Sequence, residues 1–229
     1  YTQRMEETRR TQNMRKDDLQ YDGLILWQDP SLPCFSIDAV ELANFIRATA
    51  RMRCVDLGSG TGVIPVLAAR KTGARFFGVE QNEALNRLAR RSAGDNGQRI
   101  DFLTADVSDA PRLLGCGTFD CVSANPPYFA SGECADERRT EARHDDGDTL
   151  EKFVFAASKL LKNGGRFFVI YPANDLVKLV TVLTKHRLEP KRLAFCLFDA
   201  AHRPKRVLIE AKKGARGGLT EISTFSVPD

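Results

Sequence analysis

Apolar residues return along this chain in short runs that alternate with helical faces. Residues 24–27 form a first brief apolar run, followed by the turn-like Asp29-Pro30-Ser31-Leu32-Pro33. Asp38 stands where it can cap a helix running to about residue 50, with Val40, Leu42, Ala43, Phe45 and Ile46 on its apolar face. The pattern then settles into strand and helix in turn. Strands are expected over 54–57, 75–79, 100–104, 119–124 and 166–171, and helices over 63–71, 83–93, 110–114, 149–161 and 173–186. Asn163-Gly164-Gly165 supplies a stop for the helix over 149–161. Two closing strands, 192–198 and 206–211, are separated by a link short enough for a hairpin.

Strands separated by helices pair in parallel through right-handed crossovers. The pattern therefore predicts an α/β fold: a seven-stranded, mostly parallel sheet, helices on both faces, and an antiparallel strand at one edge. Residues 1–50 read as an N-terminal extension with a helix packed on the core, and 51–229 as the main domain. The first twenty residues lack apolar periodicity and are expected to form a mobile or helical arm. No internal repeat is visible.

The first core strand ends in Asp56-Leu57-Gly58-Ser59-Gly60-Thr61-Gly62, which opens a helix. Glycines there let backbone approach a ligand, and the helix N-terminus favours polar or negative groups. A dinucleotide fingerprint would need its third glycine at position 63, where this chain has Val63. The spacing points away from NAD and towards S-adenosylmethionine (SAM), which has no pyrophosphate. Glu80 ends the second strand about 20 residues after the first glycine, the spacing of a ribose-binding carboxylate. Asp106 follows the third strand and suits the adenine amine of a cofactor, while Asp56 suits its methionine amino group. Ser59 lies within the same turn.

The fourth strand ends in Asn125-Pro126-Pro127-Tyr128. Two prolines make a rigid extended turn at the carboxyl edge of the sheet, where doubly wound folds bind ligands. An exocyclic amine such as adenine N6 is a poor nucleophile, because its lone pair is delocalised into the ring. The Asn125 amide oxygen and the Pro126 carbonyl can each accept one of its hydrogens, and Tyr128 can stack on the base. Amino-group methyl transfer follows as the expected chemistry, and no strong general base is required. The insertion over 130–148, with Arg138, Arg139, Arg143 and His144, is long and polar, as a substrate-gripping loop would be.

Composition adds little until charge is located. The 229 residues carry a net charge of +4 and are 42% hydrophobic, ordinary for a globular domain. No stretch approaches the roughly 18 consecutive apolar residues of a membrane span, and no signal-peptide pattern is seen. The six cysteines form no CxxC pair and no metal-ligand spacing with histidine, so free thiols in a reducing cytoplasm, without metal, are expected. Between residues 185 and 216, ten Lys and Arg face only Glu189, Asp199 and Glu210. That imbalance in the C-terminal third suits a polyanion.

From residue 53 to 211 the chain resembles the class I, Rossmann-like SAM-dependent methyltransferases. Nearly its whole length is similar to the bacterial family that methylates N6 of the adenine beside the anticodon of valine tRNA. The likeness is carried by Cys34-Phe35-Ser36-Ile37-Asp38, the turn from Asp56 to Gly62, Asn125-Pro126-Pro127-Tyr128-Phe129, Ala142-Arg143-His144 and Arg206-Val207-Leu208-Ile209-Glu210. It implies tRNA as partner, SAM as cofactor, and Ser36 and Asp38 near the methionine end of SAM. Other readings remain. A protein glutamine-N5 methyltransferase shares the Asn-Pro-Pro-Tyr motif, and a non-catalytic RNA-binding module could keep the fold. An NAD oxidoreductase is disfavoured by Val63.

Overall fold

The computed structural model describes residues 14–128, 148–197 and 203–227. A hairpin comes first: β1 (Arg15–Asp18) pairs antiparallel with β2 (Ile25–Gln28). Helix α1 (Ile37–Phe45) leads into alternating β3 (Arg53–Leu57), α2 (Val63–Thr72), β4 (Arg75–Glu80), α3 (Glu83–Asp95) and β5 (Asp101–Thr104). A short α4 (Ala110–Leu114), β6 (Phe119–Ala124), α5 (Asp148–Leu160), β7 (Leu161–Pro172) and α6 (Leu176–Lys185) follow. The chain closes with β8 (Leu188–Leu197), β9 (Pro204–Lys213) and β10 (Glu221–Ser226).

The main sheet runs β10-β8-β9-β7-β6-β3-β4-β5. Strand β9 is antiparallel to both its neighbours, and all other pairings in this sheet are parallel. Alternate residues of each strand point to opposite faces. Cys54, Phe76, Cys121, Phe168 and Ile170 pack with α1, α2 and α3, while Val55, Val79, Val122, Phe167 and Val169 pack with α5 and α6. Helices thus cover both faces, as the alternating pattern requires.

Several expectations need correction. The sheet has an eighth strand, β10, whose largely exposed Glu-Ile-Ser-Thr-Phe-Ser carries too weak an alternation to be read beforehand. The N-terminal arm contributes β1, although Arg15–Asp18 has no apolar face of its own. Its strand is imposed by pairing with β2, where Lys16 lies 4.8 Å from the Trp27 ring centre. Side chains of α3 and the residue after it hold β2: Asn96 Nδ2 donates to the Ile25 carbonyl at 2.7 Å, and the Trp27 N–H donates to Ser92 Oγ at 2.9 Å. Leu19, Leu24 and Leu26 lie in the same hydrophobic cluster as α1 and α2.

Helix α1 stops at Phe45 instead of about residue 50. Buried Arg192 donates to the Phe45 carbonyl at 2.5 Å and stacks 3.5 Å from its ring centre, while Ile46 turns extended. Asp38 does not cap α1. Ser36 is the N-cap residue, and the Asp38 carboxylate is bonded elsewhere. The glycines after α5 fall within β7, beside the irregularity in its pairing with β6 between Phe119 and Cys121.

Gly78, in the middle of β4, marks a close approach. A Cβ there would lie 2.4 Å from a Phe102 ring carbon and 2.8 Å from Ser59 Oγ. Gly78→Ala is expected to destabilise the protein by roughly 1–3 kcal/mol, the usual range for overpacking. The measurement is the thermal midpoint, which should fall by several degrees. An unchanged midpoint would mean that Phe102 swings away without cost.

Candidate active site

Four adjacent strands deliver the candidate residues to one edge of the sheet. In the order β6-β3-β4-β5, their carboxyl ends bear Asn125, the turn from Asp56 to Gly62, Glu80 and Asp106. The chain passes from β3 to β4 on one side, whereas β6 lies on the other. The strand order therefore reverses between β3 and β6, the place where doubly wound sheets hold ligands.

Asp56 sits at that reversal with no solvent exposure. It is in register with Ser123, whose hydroxyl donates to Asp56 Oδ1 at 2.6 Å. Asp56 Oδ2 has no hydrogen bond among the described residues. Burial pushes the Asp56 carboxyl up to about 8, against the Ser123 hydrogen bond, with the Glu80 charge adding to the rise.

The turn itself is fastened by backbone. The Gly58 and Ser59 N–H groups donate to the Val79 carbonyl at 2.8 and 3.0 Å, and Gly62 donates to the Ser59 carbonyl at 2.8 Å. Gly62 begins α2 at φ +84°, and a Cβ there would lie 3.0 Å from the Ala89 methyl, so both conformation and space demand glycine. Glu80 braces the same turn. Its Oε2 accepts the Gly60 N–H at 2.9 Å, and its Oε1 accepts the Asn82 N–H at 2.8 Å. Ser59 is buried, and its hydroxyl has no partner among the described residues.

Asp106 caps the turn after β5. Its Oδ1 accepts from the Ser108 N–H at 2.8 Å, and its Oδ2 accepts from Lys152 Nζ at 2.9 Å. Partial burial raises its pKa, but the Ser108 and Lys152 hydrogen bonds outweigh that and hold the carboxyl at about 2.

In the proline turn, Asn125 is half-buried, Pro126 buried, Pro127 exposed and Tyr128 half-buried. The amide oxygen Asn125 Oδ1 is itself shut from solvent and has no hydrogen-bond donor among the described residues. Tyr128 is held more closely than its sequence position suggests. Its hydroxyl donates to Asp38 Oδ2, and Arg206 Nε donates to Asp38 Oδ2 at 2.8 Å and to the Tyr128 oxygen at 2.9 Å. Burial, followed by the hydrogen bond and charge of Asp38, pushes the phenol above its ordinary range. Ser36 is exposed at the start of α1, and its side chain makes no capping bond.

The structure thus gathers Asp56, Ser59, Glu80, Asp106 and Asn125 along one edge and places Asp38 against Tyr128. Sequence reasoning missed Ser123, Lys152 and the role of Arg206. A serine in register with the strand-end aspartate was a readable sign for Ser123; nothing local marked Lys152. Residues 129–147, with Phe129, Arg138, Arg139, Arg143 and His144, lie outside the described residues, as do residues 1–13. The expected C-terminal basic footprint is partly used up within the fold. Lys185 pairs with Glu151, and Lys191 holds the Gly218 carbonyl at 2.8 Å. Arg192 pairs with Glu210 at 3.0 Å, Arg206 with Asp38, and Lys213 holds the Leu161 carbonyl at 2.7 Å. Among the described residues no helix is long and apolar enough to cross a membrane.

A doubly wound sheet with this glycine turn and proline turn at its reversal point defines a methyltransferase-like α/β domain. The chain belongs to the methyltransferase small domain family, whose model matches residues 39–187. It is 36% identical over 163 residues to the tRNA1(Val) (adenine(37)-N6)-methyltransferase of Porphyromonas gingivalis, covering 69% of this chain and 64% of that protein. The enzyme of the same name from Bacteroides fragilis is 26% identical over 203 residues, covering 86% of this chain and 84% of its own. Among solved structures, a predicted O-methyltransferase from Agrobacterium tumefaciens superposes with a TM-score of 0.67 at 25% identity, covering 82% of this chain and 86% of that one.

Proposed function

We propose that this protein is a SAM-dependent methyltransferase acting on the exocyclic N6 amine of an adenine in tRNA, beside the anticodon. The observation that carries the reading is Asn125 Oδ1, a buried acceptor with no donor among the described residues, at the reversal point of the sheet. Buried polar atoms are normally satisfied. An acceptor kept unpaired there suits an N–H arriving with substrate.

The residues present also fit SAM. Asp56 Oδ2 is a second buried oxygen without a partner, suited to an ammonium group, and a Cβ on Gly60 would meet nothing within 4 Å, which leaves space above the turn. Asp56 would hold the methionine amino group, with Ser36 and the turn residues Gly58, Ser59, Gly60 and Gly62 around that end. Glu80 would take the ribose hydroxyls and Asp106 the adenine. SAM supplies an electrophilic methyl on a sulfonium. The chain's own contribution is to hold the amine: Asn125 Oδ1 and the Pro126 carbonyl each accept an N6 hydrogen, while Tyr128 stacks on the base. Both acceptors would bind the nitrogen more strongly as positive charge grows on it during methyl transfer. The nitrogen then loses a proton to solvent.

The choice of tRNA leans on the names of the relatives, with the basic stretch between residues 185 and 216 as support. It also suits a cytoplasmic protein. The test is methyl transfer from labelled SAM to unmodified bacterial tRNA, followed by nucleoside digestion. N6-methyladenosine is expected. Transfer only to a glutamine-bearing protein, or SAM bound with no transfer to RNA, would overturn the substrate assignment.

A further inference from the structure

Asp38, Tyr128 and Arg206 come from the start of α1, the proline turn and the start of β9, and no local folding rule brings them together. Asp38 is nearly solvent-free, with 4% of its side chain exposed, so its charge needs a partner. Arg206 supplies one and does more. Its Nε lies within hydrogen-bond distance of both Asp38 Oδ2 and the Tyr128 oxygen, and its guanidinium carbon stands 4.7 Å from the centre of the Tyr128 ring. Tyr171, from β7, meets the ring edge-on at 5.9 Å. The ring is thus held at its hydroxyl, by the guanidinium over it and by a T-shaped contact with Tyr171.

Between Tyr128 and Asn125 stand only Pro126 and Pro127, whose fixed φ angles leave little slack. Orienting Tyr128 therefore constrains the short backbone stretch that carries Asn125. We infer that Asp38 and Arg206 form a positioning pair, which locks Tyr128 and through it fixes where the Asn125 amide oxygen presents itself to the substrate amine. This rests on the function proposed above. It gives Asp38 a role on Tyr128 in place of contact with SAM.

The pair is tested with Asp38→Asn and Arg206→Lys, each alone and combined with Tyr128→Phe. Each single variant should lower kcat about 10- to 100-fold, as small misplacements of reacting groups do. The SAM Kd should stay within about threefold, and the Arg206→Lys effect should shrink to about threefold or less once the Tyr128 hydroxyl is gone. Asp38→Asn that weakens SAM at least about tenfold with kcat intact would overturn the inference, because Asp38 would then touch the cofactor. So would losses of kcat that merely track the folded fraction, or strict additivity with Tyr128→Phe. A second readout needs no substrate: the protein has four tyrosines, so ¹³C-tyrosine labelling gives few ring signals to assign. The Tyr128 ring should be restrained in the wild type and averaging in Arg206→Lys. Averaging already in the wild type overturns the lock, whereas a restrained ring in a protein that binds SAM without methylating tRNA faults only the substrate assignment.

Discussion

Asn125→Ala is expected to lower single-turnover methyl transfer by roughly 10²- to 10³-fold, the usual cost of deleting one preorganised group at the reacting atom. SAM binding should change little, because the turn proposed to receive the cofactor is fastened by backbone bonds to Val79 and by Glu80, none of which involves Asn125. The folded state should not suffer either. Asn125 Oδ1 has no hydrogen bond among the described residues, so its removal breaks none there and relieves a buried unsatisfied oxygen. This combination separates the catalytic reading from a structural one. A residue that merely shaped the turn would lose stability and turnover together; Asn125→Ala should keep its melting point and lose its rate. Asn125→Asp offers a carboxylate acceptor in the same place and should recover part of the loss. Full activity in Asn125→Ala would end the proposed mechanism.

Much of the layout of this candidate site was legible in the chain because strand ends announce themselves. Four apolar runs, each closed by a polar or glycine-rich step, locate Asp56, Glu80, Asp106 and Asn125, and parallel pairing of adjacent strands then puts them in a row. What those residues bond to was less legible. Asp38 read as a helix cap or, by family likeness, as a neighbour of SAM; its partners Tyr128 and Arg206 are 90 and 168 residues away. Arg206 itself read as one cation in a basic stretch, although it and Arg192 are drawn inward by buried carboxylates. Net charge along a chain does not say which cations the fold consumes. Strand β10 escaped for another reason: it is an edge strand paired only with β8, and a mostly exposed sequence carries no buried face to reveal it.

Asp56 leads to the second large effect, a SAM affinity that climbs with pH. The carboxyl is pushed up to about 8 by burial. Below that pH the ligand-free protein holds Asp56 mostly protonated, while the unfolded chain ionises near 3.8. The folded state then binds the extra proton, so stability from this group is full below about pH 4, falls as pH rises, and levels off above about 8. The SAM ammonium proposed to lie beside Oδ2 favours the carboxylate, so SAM binding is expected to expel that proton. Between pH 6 and 7.5 the ionised fraction, and with it the affinity, should rise roughly 20-fold. That window lies below the range near 8 where an α-amino group itself titrates. Asp56→Asn cannot ionise; it should bind SAM weakly and show a flat profile across the same window. Calorimetry in two buffers of different ionisation enthalpy checks the mechanism directly, with close to one proton released per SAM bound at pH 6.5 in the wild type and none in Asp56→Asn. An affinity that is level from pH 6 to 7.5 in the wild type, or an equal slope in both proteins, would mean that Asp56 is already ionised or faces no cation. The unpaired Oδ2 would then need another occupant.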